Sequence, residues 1–282
     1  MEYTTVISAE DLNSHIEDNN WVVIDCRFTL TDPGAGQRAY DEGHIPGARY
    51  MHLDDDLAAP VTSNTGRHPL PEPGTLAKKL GELGIDNNTQ VVAYDDAFGA
   101  MASRLWWLLR WLGHDKVALL DGGLPAWIRK KLPLTDDLSS IEKKTFVPSV
   151  RTNMVIDTPT MEAIVVSGEN VIIDARAEER FTGEVEPLDK VAGHIPGAVN
   201  LPFEDNLDLD GTFMSREEMA DLYKDLLGDK DGDQVVMMCG SGVTACHNLV
   251  AMEIAGFKGA KLYAGSWSEW ITDPDHPLAT GE

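Results

Sequence analysis

Cysteine is scarce in this chain, positive charge is outnumbered two to one, and no long apolar run occurs. The 282 residues hold three cysteines, Cys26, Cys239 and Cys246, without CxxC spacing. So sparse and odd a set excludes a disulfide framework and a zinc site, and it fits a reducing compartment with one special thiol. Lys and Arg number 23 against 47 Asp and Glu, a formal net charge of -24. Nucleic acid and anionic membrane surfaces would be repelled over a Debye length, so neither is an expected partner. An anionic substrate must then be held by a local basic group or by oriented backbone dipoles. No stretch of about 18 apolar residues is available to cross a membrane. The first twenty residues are acidic and polar, without the basic and apolar regions of a signal peptide, and the cytoplasm is the expected compartment. Hydrophobic residues at 43% and charged residues at 25% are those of an ordinary globular protein, and the length suits two domains.

What is present is a repeat. GHIPGA occurs at Gly43 to Ala48 and again at Gly193 to Ala198. Upstream of each copy an apolar run ends in Asp-x-Arg: WVVIDCR with Asp25 and Arg27, VIIDAR with Asp174 and Arg176. Downstream come QVVAYDD and QVVMMCG, each followed by a helix-like stretch, MASRLWWLLRWLGH and TACHNLVAMEIAGF. Each half closes on a short apolar run and a Gly/Trp turn, VALLDGGLPAW and AKLYAGSWSEW. Matched order over six elements indicates duplication. The runs are continuously apolar rather than alternating, as parallel strands covered on both faces are. The expected fold class is α/β, two similar domains with mainly parallel sheets and helices on both faces. The expected boundaries are 1–132 and 157–282, with residues 133–156, rich in Pro, Ser and charge, as the linker. In HIPGA, Pro fixes φ, Gly turns the chain and the small Ala leads into the next strand, so His44 and His194 read as turn residues. Arg27, Arg176 and Arg104 read as structural.

The chemistry sits in CGSGVTACHN, Cys239 to Asn248. VVMM delivers Cys239 to the carboxyl end of a strand, where open α/β sheets bind ligands. Gly240 and Gly242 permit a tight loop with inward N–H groups, and Thr244 is the expected N-cap of a helix starting near Ala245. Such a loop is an anion-binding nest in which a thiolate is stabilised. Cys246, inside the helix, reads as packed and inert, and Cys26 likewise. Aligning QVVAYDD with QVVMMCG sets Asp95 opposite Cys239, so the first half has no thiol chemistry at that position.

These motifs, from WVVIDCR to GSWSEW, resemble the tandem rhodanese-domain sulfurtransferases over essentially the whole chain. The six-residue loop CGSGVT resembles that of the 3-mercaptopyruvate type, whereas thiosulfate-preferring members carry basic residues there. The resemblance implies a sulfurtransferase that takes sulfur from mercaptopyruvate or thiosulfate as a Cys239 persulfide and passes it to cyanide, a thiol or a thioredoxin-like acceptor. It implies no metal or organic cofactor. Ser241 matches the loop serine of the family, a proton donor or relay. His68 in GRHPLP matches its histidine, and Asp54 in HLDDDL the aspartate partner, with Asp55 and Asp56 as alternatives. Arg180 in EERF matches the substrate-carboxylate arginine, a planar fork suited to a carboxylate. Gly240, Gly242, Val243 and Thr244 complete the substrate-binding loop. Leu188 stands where the mercaptopyruvate enzymes carry a second arginine, with Lys190 as its possible substitute, so the donor stays open. Two alternatives differ in class. A dual-specificity phosphatase needs an arginine closing the cysteine loop, and Ala245 stands there. A protein-to-protein persulfide relay would use the same thiol without turning over a small donor.

Overall fold

The apolar runs form the centre of two parallel sheets. The structure, a computed structural model, describes residues 2–281. In the first half the strands are β1 (Val6–Ile7), β2 (Trp21–Asp25), β3 (Arg49–Tyr50), β4 (Gln90–Tyr94) and β5 (Val117–Leu120), in the order β1-β5-β4-β2-β3. In the second they are β6 (Val155–Ile156), β7 (Val171–Asp174), β8 (Ala198–Asn200), β9 (Val235–Met238) and β10 (Lys261–Tyr263), in the order β6-β10-β9-β7-β8. Every pairing is parallel, and the permutation is identical in the two sheets. The central strands β4 and β9 are buried along their whole length, as strands covered on both faces must be. Helices fill the connections, as parallel strands require.

The Asp-x-Arg and GHIPGA motifs are one device, used twice. Arg27 Nη2 donates to Asp25 Oδ2 at 2.6 Å and to the Gly43 carbonyl at 2.8 Å. Arg176 Nη2 makes the matching bonds to Asp174 at 2.7 Å and to the Gly193 carbonyl at 2.7 Å. Each arginine thereby ties the end of a central strand to the start of the turn that enters β3 or β8. The turn histidines lie flat on aromatic rings, His44 on Tyr40 at 4.1 Å and His194 on Phe181 at 3.7 Å.

The chain divides into two compact units. The first contains the chain up to Ala59, Leu70–Arg151 and Leu209–Thr212; the second contains Pro60–Pro69, Thr152–Asp208 and the chain from Phe213 on. Residues 133–151, expected as connecting chain, therefore belong to the first unit. Thr135 pairs with His44, Lys144 N–H donates to the Gly81 carbonyl at 2.8 Å, Ser149 N–H donates to the Leu112 carbonyl at 2.8 Å, and Phe146 is buried. Hydrogen bonds and one aromatic anchor hold a segment whose polar composition reads as loose. The rest of the expected connection contains β6, a strand too short to show a period.

Candidate active site

Cys239 follows the last residue of β9 and is 2% exposed. Its Sγ accepts the Gly242 N–H at 3.2 Å. Its carbonyl accepts the Trp267 N–H at 3.0 Å, and the Gly240 carbonyl accepts the Ser268 N–H at 2.9 Å. The two loop glycines are required for different reasons. Gly242 has φ +74°, and a Cβ there would stand 2.6 Å from the Ala264 carbonyl oxygen. At Gly240 a Cβ would instead stand 2.7 Å from Arg67 Nη2 and 3.5 Å from both terminal nitrogens of Arg180. Two guanidiniums therefore lie over the loop at Gly240, the neighbour of Cys239. Val243 is buried behind it.

An acidic pair holds those guanidiniums in place. Glu186 takes Arg180 Nε at 3.2 Å and Nη2 at 2.9 Å, together with the N–H groups of Leu188 and Asp189 at 3.0 Å each. Asp189 takes Arg180 Nη2 at 3.0 Å and is also ion-paired with Arg67 Nη1. Burial works against the Glu186 carboxylate, yet the bonds from Arg180, Asp189 and Leu188 hold it below the usual glutamate range. Burial pushes Asp189 up, with Glu186 adding repulsion and Arg67 and Arg180 opposing. Of the two, Glu186 with its fuller set of donors is the firmer anchor. Arg180 is thus drawn in from the surface by its partners Glu186 and Asp189.

Ser241 is buried, and its Oγ lies 2.7 Å from His68 Nδ1. His68 and Arg67 reach this loop because segment Pro60–Pro69 packs with the second unit. Gly66 N–H donates to Glu269 at 3.3 Å and Arg67 N–H to Ser268 Oγ at 3.0 Å. Asp54 is exposed in the short helix Leu53–Asp56 of the first unit. Lys190 is exposed and makes no ion pair among the described residues. Thr244 is the N-cap residue of helix Ala245–Ala255, but its side chain caps nothing. The backbone is already right-handed helical at Thr244, and tight bonds from Cys246 N–H to Val243 and from His247 N–H to Thr244, each 3.0 Å, take that role.

The other thiols differ from Cys239. Cys246 is fully buried and donates to the Gly242 carbonyl at 3.3 Å. Burial, with Asp25, Asp95 and Asp56 nearby, pushes the Cys26 thiol well above the ordinary range. In the first unit the loop after β4 closes on its own anion. Asp95 accepts the N–H groups of Ala97, Gly99, Met101 and Ala102 at 2.7 to 2.9 Å.

The rhodanese-like domain model matches residues 8–130 and 160–273. The chain belongs to the rhodanese family of sulfurtransferases. A Pseudomonas aeruginosa protein described as "Probable 3-mercaptopyruvate sulfurtransferase" is 49% identical over the full length of both chains. A Mycobacterium tuberculosis protein carrying the name thiosulfate sulfurtransferase is 37% identical over 98% of this chain and 97% of its own. The crystal structure of the Escherichia coli 3-mercaptopyruvate sulfurtransferase is 32% identical, with a TM-score of 0.80, over 95% of this chain and all of that one. Among the described residues of this rhodanese, no helix is long and apolar enough to cross a membrane.

Sequence reasoning missed Arg67 and the Glu186–Asp189 pair in this rhodanese. A signal for Arg67 was present. The loop itself has no cation, an anionic donor needs one, and Arg67 adjoins the candidate His68.

Proposed function

We propose that Cys239 carries the transferred sulfur as a persulfide and that 3-mercaptopyruvate is the preferred donor. The observation that carries the reading is the pair of guanidiniums, Arg67 and Arg180, over Gly240 beside the buried thiol. Two planar forks side by side match the carboxylate and adjoining carbonyl of a 2-oxo acid. Arg67 then does the work that the arginine missing at Leu188 would do, and Lys190 is not needed for it.

In the proposed reaction the Cys239 thiolate attacks the sulfur of mercaptopyruvate and the carbon–sulfur bond breaks. The electron pair stays on the former C3 of the donor, and that carbon takes a proton to give pyruvate. The Ser241–His68 contact supports a relay that supplies this proton. A thiol or cyanide then attacks the outer sulfur and the Cys239 thiolate returns. Gly242 N–H, aimed at Sγ, steadies the anion in both steps. Gly240, Gly242, Val243 and Thr244 form the floor on which the donor rests. Asp54 remains the candidate third member of the relay on the resemblance in HLDDDL, to be tested by Asp54→Asn.

The test is kcat/KM for mercaptopyruvate and thiosulfate side by side, in the native chain and in Ser241→Ala. Thiosulfate releases sulfite and needs no proton on carbon. The expected result is a preference for mercaptopyruvate and a loss in Ser241→Ala confined to it, on the order of 10²-fold. A preference for thiosulfate, or equal losses with both donors, contradicts the reading. The acceptor in the cell and a cytoplasmic site of action are proposed on the same footing; a cyanide-only turnover with no thiol acceptor would contradict the former.

A further inference from the structure

Ser266 has a left-handed backbone, φ +54°, and is completely buried. Serine rarely adopts that conformation, and glycine adopts it freely. The repeat supplies an internal comparison. In the first unit Leu124 N–H donates to the Asp95 carbonyl at 2.8 Å, as Trp267 N–H does to the Cys239 carbonyl at 3.0 Å. The residue before Leu124 is Gly123, with φ +58°. Both units thus need a left-handed residue at this point. The half with Asp95 in its loop uses glycine there, and the half with Cys239 uses a strained serine.

The strained serine touches the nucleophile's backbone. Ser266 Oγ accepts the Cys239 N–H at 3.1 Å and donates to the Tyr263 carbonyl at 2.9 Å. The neighbouring strands β9 and β10 pair only as far as Lys261↔Val236 and Leu262↔Met237. Beyond that point the hydroxyl spans the gap between the end of β10 and Cys239. It fixes the peptide from which the Cys239 side chain projects toward the Gly242 N–H. Persistent backbone strain beside a reactive group is retained where the surroundings enforce it and the geometry is used.

We propose that Ser266 is a positioning residue for Cys239, held in a strained conformation so that its hydroxyl sets the thiol's place in the loop. The inference rests on Cys239 being the sulfur carrier. It predicts a separation of rate from stability that a structural role does not produce. Ser266→Gly removes the hydroxyl and the strain; Ser266→Ala removes the hydroxyl and keeps the strain. Each full-length variant is to be measured for Tm, for steady-state kcat and KM with mercaptopyruvate and cyanide, and for single-turnover charging by intact mass. The expected result is that kcat and the charging rate fall roughly tenfold in both variants, with KM within twofold, while Ser266→Gly melts above Ser266→Ala. The inference is overturned if Ser266→Gly is charged at the native rate, or if the rate losses simply follow Tm. Cys239→Ser, run alongside, separates the two readings. If it still acquires sulfur, the carrier assignment fails. If it stays uncharged while both Ser266 variants charge normally, only the role of Ser266 fails.

Discussion

In a chain with a net charge of -24, the proposed anion site rests on two local cations, Arg67 and Arg180. Neither guanidinium is free-standing, because Asp189 tethers both and Glu186 also holds Arg180, and the ends that reach Gly240 are placed by those tethers. Replacing either arginine with alanine removes a charge-assisted contact worth about 1.5–3 kcal/mol. The expected outcome for Arg67→Ala and for Arg180→Ala is a KM for mercaptopyruvate raised roughly 10- to 100-fold, with Tm lowered by only a few degrees. Unchanged KM in Arg67→Ala, read from steady-state kinetics, would mean that Arg180 acts alone. Asp95 poses the opposite case, a carboxylate caged by four N–H groups with no ligand to bind. Burial pushes that carboxyl up and the four donors oppose the shift. An amide NH₂ would face donors where an oxygen faced them, so Asp95→Asn should cost about 2–4 kcal/mol in denaturant unfolding. A loss below about 0.5 kcal/mol would mean that the cage adapts freely.

At the scale of elements, the segment from Glu178 to Asp189 is a cation mount, and Glu186 is its base. A glutamate held below its usual pKa adds stability that is present above the unfolded value of 4.5 and is lost as pH falls through the lower folded value. The Tm gap between the native chain and Glu186→Gln should therefore be widest near pH 7 and close as pH drops below about 4.5. A gap that does not change with pH would assign the effect to packing. The elements themselves were unevenly legible in the sequence. The central strands and the loop after β9 were plain, because apolar runs ending at Asp-x-Arg or Cys-Gly leave few alternatives. The entries to β3 and β8 followed from HIPGA. Strands β1 and β6 are two residues each and carry no period. The pairing of His68 with Ser241 spans 173 residues and depends on segment Pro60–Pro69 packing with the second unit, which no local pattern encodes. In the sequence Ser266 is only part of a Gly/Trp turn, and the one pointer to its left-handed backbone is Gly123 at the matching place.

For the whole molecule, duplication gives two sheets of identical order, with Asp95 after the fourth strand and Cys239 after the ninth. Asp95 occupies the nest of the first, and Cys239 uses the nest of the second. The global field is a separate matter. Two arginines at the loop are balanced by two carboxylates, so the remaining charge of the chain repels an anionic donor. Raising ionic strength from about 0.01 to 0.15 M shortens the Debye length from about 30 to 8 Å and should lower KM for mercaptopyruvate severalfold. A KM that rises with salt would show that the arginine pair, and not the net charge, dominates long-range attraction. Whether Cys239 carries the sulfur is tested most directly by intact mass after treatment with donor alone. One added sulfur atom, about 32 Da, is expected to map to Cys239, to be kept in Cys26→Ser and Cys246→Ser and to be lost in Cys239→Ser. Sulfur on Cys246 or Cys26, or turnover by Cys239→Ser, would contradict it.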